Sequence, residues 1–214
     1  MFNNKKITLP KPYPDSELHD SVLKAGFEKY PKRYENYLKW QKSSRSIDVD
    51  YLPIKMDIEN VSRCNFHCTM CSVSEWHKLT RARDMTMEEF KNLIDEQYGL
   101  VEIKIQGLGE PFLSKDFIQM VKYARQKHIW VRSTTNASLL DRNENYKNII
   151  EADICELQVS IDGGTKETFE KIRAGSRFEK VVKNSTILNE YASKVNHHRT
   201  RAWTLVQRDN YNEL

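Results

Sequence analysis

From residue 51 onward the apolar positions of this chain switch repeatedly between period two and the wider spacing of a helix. Ile54, Met56 and Ile58 alternate with polar neighbours, which predicts a strand. Thr86-Met87-Glu88-Glu89 has the form of a capping box, and Met87, Phe90, Leu93 and Ile94 make the apolar stripe of the helix it opens. Val101, Ile103 and Ile105 predict a second strand. Ser114 is the expected N-cap of a helix carrying Phe117, Ile118, Val121 and Ala124, and residues 129–134 read as a third strand. A short helix over 146–151, a fourth strand over 154–162, a long helical region over roughly 165–195 and a fifth strand over 202–207 complete the series. Residues 1–50 differ. Leu18, Val22, Leu23, Phe27 and Tyr30 have helical spacing, and after Pro31 the stripe resumes with Tyr34, Tyr37, Leu38 and Trp40. Proline suits the first turn of a new helix, so two short helices are expected, their aromatic stripe packing on a core. Residues 42–45 read as an exposed polar connector.

Alternating strands and helices imply βαβ units and a parallel sheet, hence an α/β fold. Val101, Ile103 and Ile105 must then face the helices, which turns Glu102, Lys104 and Gln106 to the other face. Leu157, Val159 and Ile161 oppose Gln158, Ser160 and Asp162 in the same way. A flat two-layer sheet would leave these polar rows in water. A curled one would turn them inward to line a polar cavity.

At 214 residues the chain can build one sizeable core and is short for two domains, so 1–50 is read as a helical extension and 51–214 as the main domain. Charged residues make up 30% and the net charge is +4, without a concentrated basic stripe, so no nucleic-acid partner is expected. Met1-Phe2-Asn3-Asn4-Lys5-Lys6-Ile7-Thr8 lacks an apolar h-region, and no apolar run approaches a membrane span, so neither export nor a membrane is expected. Four cysteines in such a chain suit a cytoplasmic, metal-using protein rather than disulfides.

Three of those cysteines lie within eight residues, in Arg63-Cys64-Asn65-Phe66-His67-Cys68-Thr69-Met70-Cys71. Iron–sulfur clusters are normally held by cysteine thiolates, and three ligands for four irons leave one iron open for chemistry. The competing reading is zinc, with His67 or a distant residue as fourth ligand. Structural zinc sites usually carry a second ligand pair, whereas Cys155 stands alone and His19, His67, His77, His128, His197 and His198 share no suggestive spacing.

The triplet resembles the signature of the radical S-adenosylmethionine (SAM) enzymes, and other segments extend the resemblance in chain order. Gln106-Gly107-Leu108-Gly109-Glu110-Pro111 is similar to the family's Gly-Gly-Glu-Pro motif, with Leu108 in place of the first glycine. Thr134-Thr135-Asn136-Ala137 resembles Thr-Thr-Asn-Gly, and Ala137 in the glycine's place implies a turn that demands positive φ less readily. Val159-Ser160-Ile161-Asp162-Gly163 matches at the fourth strand, and Lys171-Ile172-Arg173-Ala174-Gly175 looks like a segment of members with an auxiliary-cluster domain. A solvated helix-end role is nevertheless expected for Arg173.

The resemblance implies a partial (β/α)6 barrel with a [4Fe-4S] cluster on Cys64, Cys68 and Cys71. SAM chelates its open iron and is cleaved reductively to a 5′-deoxyadenosyl radical that takes hydrogen from substrate. It implies SAM contacts from Gly107 and Gly109, from Glu110 as partner of a cation, from the backbone of Met70, and from Ser160 and Asp162. For the last two, capping the next helix is the competing role. Glu102, Lys104 and Gln158 become candidate substrate contacts, with a peptide or small molecule as substrate and reduced flavodoxin or ferredoxin as electron donor. A sixth strand is expected after Gln207, so the barrel reads as truncated after its fifth strand, without an auxiliary-cluster tail. The alternatives are half of a split enzyme and a minimal barrel completed by a second chain. The reading from another class is a non-catalytic barrel holding a cluster or zinc for a partner.

Overall fold

A computed structural model describes residues 15–44, 47–75 and 81–213. The N-terminal stretch read above for export, Arg45 of the connector and His77 lie outside the described residues. Two N-terminal helices, α1 (Ser16–Lys29) and α2 (Pro31–Lys42), precede β1 (Lys55–Ile58). The alternating series follows: α3 (Met87–Glu96), β2 (Glu102–Ile105), α4 (Phe117–Gln126), β3 (Trp130–Thr135), α5 (Asn145–Glu151), β4 (Glu156–Ser160), α6 (Lys166–Ile172), α7 (Phe178–Lys194) and β5 (Thr200–Trp203).

The five strands are all parallel and lie in the order β1-β2-β3-β4-β5. Parallel crossovers are right-handed, so steps that all run in one direction place every helix on the same face. The core has that composition. Ile103, Ile105, Val131, Leu157 and Val159 pack with Phe90 and Ile94 of α3, Phe117 and Val121 of α4, Ile149 of α5, Phe169 of α6 and Leu188 of α7. The opposite face is polar yet largely buried: Glu102, Glu156, Gln158 and Ser160 are each at most 8% exposed. Polar side chains can be withdrawn from water in this way only where they meet one another, and they do. Glu102 pairs with Lys55 and Arg132, Thr134 donates to Gln158, and Gln158 donates to Glu156. The sheet is therefore curled, with a polar interior.

Helices α1 and α2 close the N-terminal end of that interior. Val22 of α1 forms a small cluster with Trp130, the first residue of β3, and Cys155, which directly precedes β4, and His19 meets the Trp130 ring edge-on at 5.2 Å. From α2, Arg33 is 4% exposed and donates to the carbonyls of Tyr98, Lys127 and His128. The expected aromatic stripe packs mostly on itself. Phe27 meets Tyr34 and Tyr37, and Tyr37 meets Trp40, while Tyr34 and Trp40 remain exposed.

Several sequence expectations are corrected in detail. Thr86 and Glu89 form the expected reciprocal capping box. Ser114 does not cap α4. It closes a short 3-10 turn, and its hydroxyl accepts from the backbone of Asp116, the actual N-cap residue. The long helix over 165–195 is two helices, broken at residues 173–177, where Gly175 adopts φ +82°. The fifth strand is shifted towards the N-terminus of its predicted range, because Leu205 leaves the ladder to donate its backbone N–H to Asp162.

Candidate active site

The cysteine loop leaves the C-terminal end of β1 and is clamped from two sides. On one side Leu108 donates to the Glu59 carboxylate at 2.8 Å, and Glu110 donates its backbone N–H to the Arg63 carbonyl at 3.0 Å. On the other, His67 and Thr69 donate to the carbonyls of Ala174 and Ile172, at 2.7 and 2.9 Å. The segment after α6 thus runs beside the loop like an added strand, and the left-handed Gly175 turns the chain away from it.

The clamp requires glycine at 109, where the neighbour is backbone, whereas at 107 the neighbour is the Glu59 side chain. A Cβ on Gly109 would stand 2.1 Å from the Val61 carbonyl oxygen, and one on Gly107 would stand 2.1 Å from Glu59 Oε1. The close approach glycine permits here is to the cysteine loop itself. Leu108, between them, is 41% exposed.

Cys64, Cys68 and Cys71 line one cavity of about 220 Å³ with Phe66, Met70, the glycine loop through Glu110, Gln106, Thr134, Thr135, Asn136, Ser160 and Arg173. Sequence-distant segments thus meet at the C-terminal ends of β1 to β4, the end at which barrels of this kind carry their chemistry. Cys155 lies at the opposite end, buried against Val22 and Trp130. Of the residues expected to hold the cluster or SAM, Asp162 alone does not line the cavity; the candidate substrate contacts Glu102, Lys104 and Gln158 lie outside its lining as well. Asp162 is fully buried, with Oδ2 2.6 Å from Arg173 Nη2 and Oδ1 accepting from Leu205. Nor does it cap the next helix, a task done by Thr165.

Arg173 is accordingly not a solvated helix-end residue. Its side chain is 12% exposed, oriented by Asp162, and its Nη1 stands 4.0 Å from Cys68 Sγ. Asn136 Nδ2 lies 3.8 Å from Cys64 Sγ and also donates to Asn65 Oδ1, while Asn65 donates to Ser138. These contacts escaped the sequence reading because Asn65 and Asn136 are ordinary turn residues until the fold joins them. Only Arg173 carried a signal, through its place in the Lys-Ile-Arg-Ala-Gly segment.

Glu110, expected to pair with a cation, is instead held by donors at the end of β3. Thr135 Oγ1 and the Asn136 backbone donate to its two oxygens, at 2.7 and 2.8 Å. The residue is only 2% exposed, and burial raises its carboxyl to about 7 despite these bonds. Burial likewise pushes the Cys64 thiol up and the Cys68 thiol to about 11. Such thiols are protonated at neutral pH unless a metal holds them as thiolates. The donor set suits an iron–sulfur cluster: three thiols on one wall of a cavity, with an amide and a guanidinium directed at two sulfurs. Among the described residues no three His, Cys, Asp or Glu side chains converge as ligands of a single ion.

A family model described as the Radical SAM superfamily matches residues 59–210. The PqqA peptide cyclase of Bradyrhizobium diazoefficiens is 28% identical over 126 residues, covering 58% of this chain and 32% of that protein. The Fe-coproporphyrin III synthase of Methanosarcina barkeri is 34% identical over 113 residues, covering 52% and 27% respectively. The chain thus spans about a third or less of the length of these relatives. Among solved structures, Streptococcus suis SuiB bound to S-adenosylmethionine superposes with a TM-score of 0.60 at 16% identity, covering 76% of this chain and 36% of that one.

Proposed function

The chain belongs to the Radical SAM superfamily, and on that premise we propose that it forms the core of an enzyme that cleaves SAM reductively and abstracts hydrogen from a substrate. The observation that carries this reading is the meeting of Cys64, Cys68 and Cys71 with the glycine loop, Asn136, Ser160 and Arg173 around one cavity. The three cysteines hold a [4Fe-4S] cluster, which when bound supplies the electron for SAM cleavage.

The chain's own residues do the positioning. The backbone of Gly107, Gly109 and Glu110 forms the SAM-facing wall, with Met70 and Ser160 on its rim. Asp162 acts from behind by fixing Arg173, the one cation lining the cavity among the described residues. Asn136 and Arg173 direct N–H groups at Cys64 and Cys68, which favours the anionic state of a ligated sulfur. The substrate enters from the polar interior below the cavity. Relatives named as a peptide cyclase and as mycofactocin maturases support a peptide as substrate. The electron donor is a reduced flavodoxin or ferredoxin. Among the described residues no helix is long and apolar enough to cross a membrane.

Anaerobic reconstitution followed by iron and sulfide analysis tests this reading. About four irons per chain are expected. Replacing Cys64, Cys68 and Cys71 together with alanine should abolish iron binding, and Cys155→Ala should retain it. Stoichiometric zinc in the purified chain, with no iron taken up on reconstitution, would return the site to the structural-zinc reading.

A further inference from the structure

Three side chains on the inner face, Glu102, Lys104 and Gln158, stand where a substrate entering below the cavity would meet them, and the fold treats them differently. Glu102 is occupied, its Oε2 2.7 Å from Lys55 Nζ and its Oε1 3.3 Å from Arg132 Nε. Gln158 is occupied too, accepting from Thr134 at 3.0 Å and donating to Glu156 at 2.7 Å. Lys104 is half-buried and makes no hydrogen bond or ion pair with any described residue. Its register partner on β1, Asp57, is exposed and forms no ion pair with it; on β3 its register partner is the cation Arg132. Two residues beyond Lys104 and just past the end of β2, Gln106 lines the cavity, and its Oε1 is buried without a hydrogen-bond partner.

Gln106 directly follows β2 and continues its pairing by donating its backbone N–H to the Ile58 carbonyl at 2.9 Å, so the two groups share one face, with Cα atoms about 6.6 Å apart at the usual rise. The buried Gln106 carbonyl oxygen with no donor is unfavourable when left unmet, and the Lys104 ammonium, which no described residue pairs, is open to a ligand. Together they ask for a ligand with an anion at the deeper position and an N–H or O–H donor beside it. Sulfate would answer Lys104 but supply no donor to Gln106, and hydrogenphosphate, which does carry an O–H, is the competitor the test includes. A carboxylate attached to an amide answers both.

We infer that β2 and the residue after it carry the specificity element of the proposed site. Lys104 takes a substrate carboxylate and Gln106 Oε1 takes the neighbouring amide N–H, so the substrate is a peptide segment bearing an aspartate or glutamate. This rests on the cavity being the site proposed above. Neither residue is needed to hold the cluster, and Lys104 is outside the set of cavity-lining residues.

The test uses N-acetyl-L-glutamyl methylamide as probe, with its glutaminyl and lysyl counterparts and inorganic phosphate. Binding is measured by saturation-transfer NMR, both on the apo chain and on the reconstituted, SAM-bound chain. The wild type should prefer the glutamyl over the glutaminyl probe by about ten-fold, the scale of one added charge-assisted contact. Lys104→Gln should bring that ratio to within about two-fold, and Lys104→Glu should favour the lysyl probe, as expected when one contact sets the discrimination. Iron content and SAM binding should be unchanged in both variants. Equal binding of the three amides by wild type, or phosphate bound more tightly than the glutamyl probe, would overturn the assignment. Failure of the wild type to take up cluster or SAM would instead bring down the proposed function, and the probe ranking on the apo chain would still decide the role of Lys104.

Discussion

Glu110 shows how one residue can tie a site together at a cost to stability. Its carboxyl is raised to about 7 by burial, above the ordinary value of 4.5. The fold therefore favours the neutral acid more than the unfolded chain does. Its contribution to stability is fully present below about pH 4.5 and is lost as pH rises through about 7, because the native state keeps a proton that the unfolded chain releases. The loss is on the order of 3 kcal/mol, taking about 1.4 kcal/mol per pH unit. Urea unfolding of the apoprotein at pH 5 and pH 8 measures it. Other groups also titrate in this range, so the informative quantity is the difference from Glu110→Gln, which should lose most of this pH-dependent decline. Parallel profiles for the two proteins would contradict the assignment. The neighbouring Ala137 shows where residue-level reading went astray. Alanine in place of the family's glycine suggested a turn without positive φ, yet Ala137 sits at φ +61°. The turn is held locally by the Ala137 N–H donating to Thr135 Oγ1 and from outside by the buried Asn184, which donates to the Ala137 carbonyl.

At the scale of elements, the strands and most helices were legible because their apolar positions repeat with the period of the element that buries them. The boundaries that moved did so for tertiary reasons. The fifth strand stops at Trp203 since Asp162 and the fully buried Asn210 take up the chain beyond it; Asn210 donates to the carbonyls of Asp162 and Leu205. The helix over 165–195 breaks because residues 172–174 pair with the cysteine loop. No local pattern announces either contact. The attachment of α2 was equally hidden, since Arg33 reads as one more charge on a polar helix face. Its guanidinium holds carbonyls from the turns before β2 and β3, and burial without a carboxylate partner lowers it to about 10. Arg33→Met should leave those carbonyls unmet and cost about 2–3 kcal/mol, the usual penalty for several buried polar groups stripped of one charged donor. Urea midpoints would register this, and iron uptake by the folded fraction should not change. An unaltered midpoint would mean that α2 is held by its apolar contacts alone.

For the molecule as a whole, strand order links sequence to chemistry. Sequential parallel strands put the helices outside, the curl buries the polar rows inside, and the loops at one end converge on a cavity. The cysteine triplet and glycine loop were legible as linear motifs, and their meeting could be expected from the alternation alone. The placement of Arg173 beside Cys68, of Asp162 behind it and of Asn136 beside Cys64 was not, because each depends on residues far apart in the chain. The central claim is that this convergence serves SAM cleavage. The most direct measurement is 5′-deoxyadenosine release from SAM by the anaerobically reconstituted, dithionite-reduced chain, followed by chromatography beside the Cys64, Cys68 and Cys71 triple alanine variant. The account predicts 5′-deoxyadenosine from the wild type, dependent on reductant, and none from the variant. A wild-type chain carrying its full complement of iron and binding SAM, yet forming no 5′-deoxyadenosine above the variant, would contradict it.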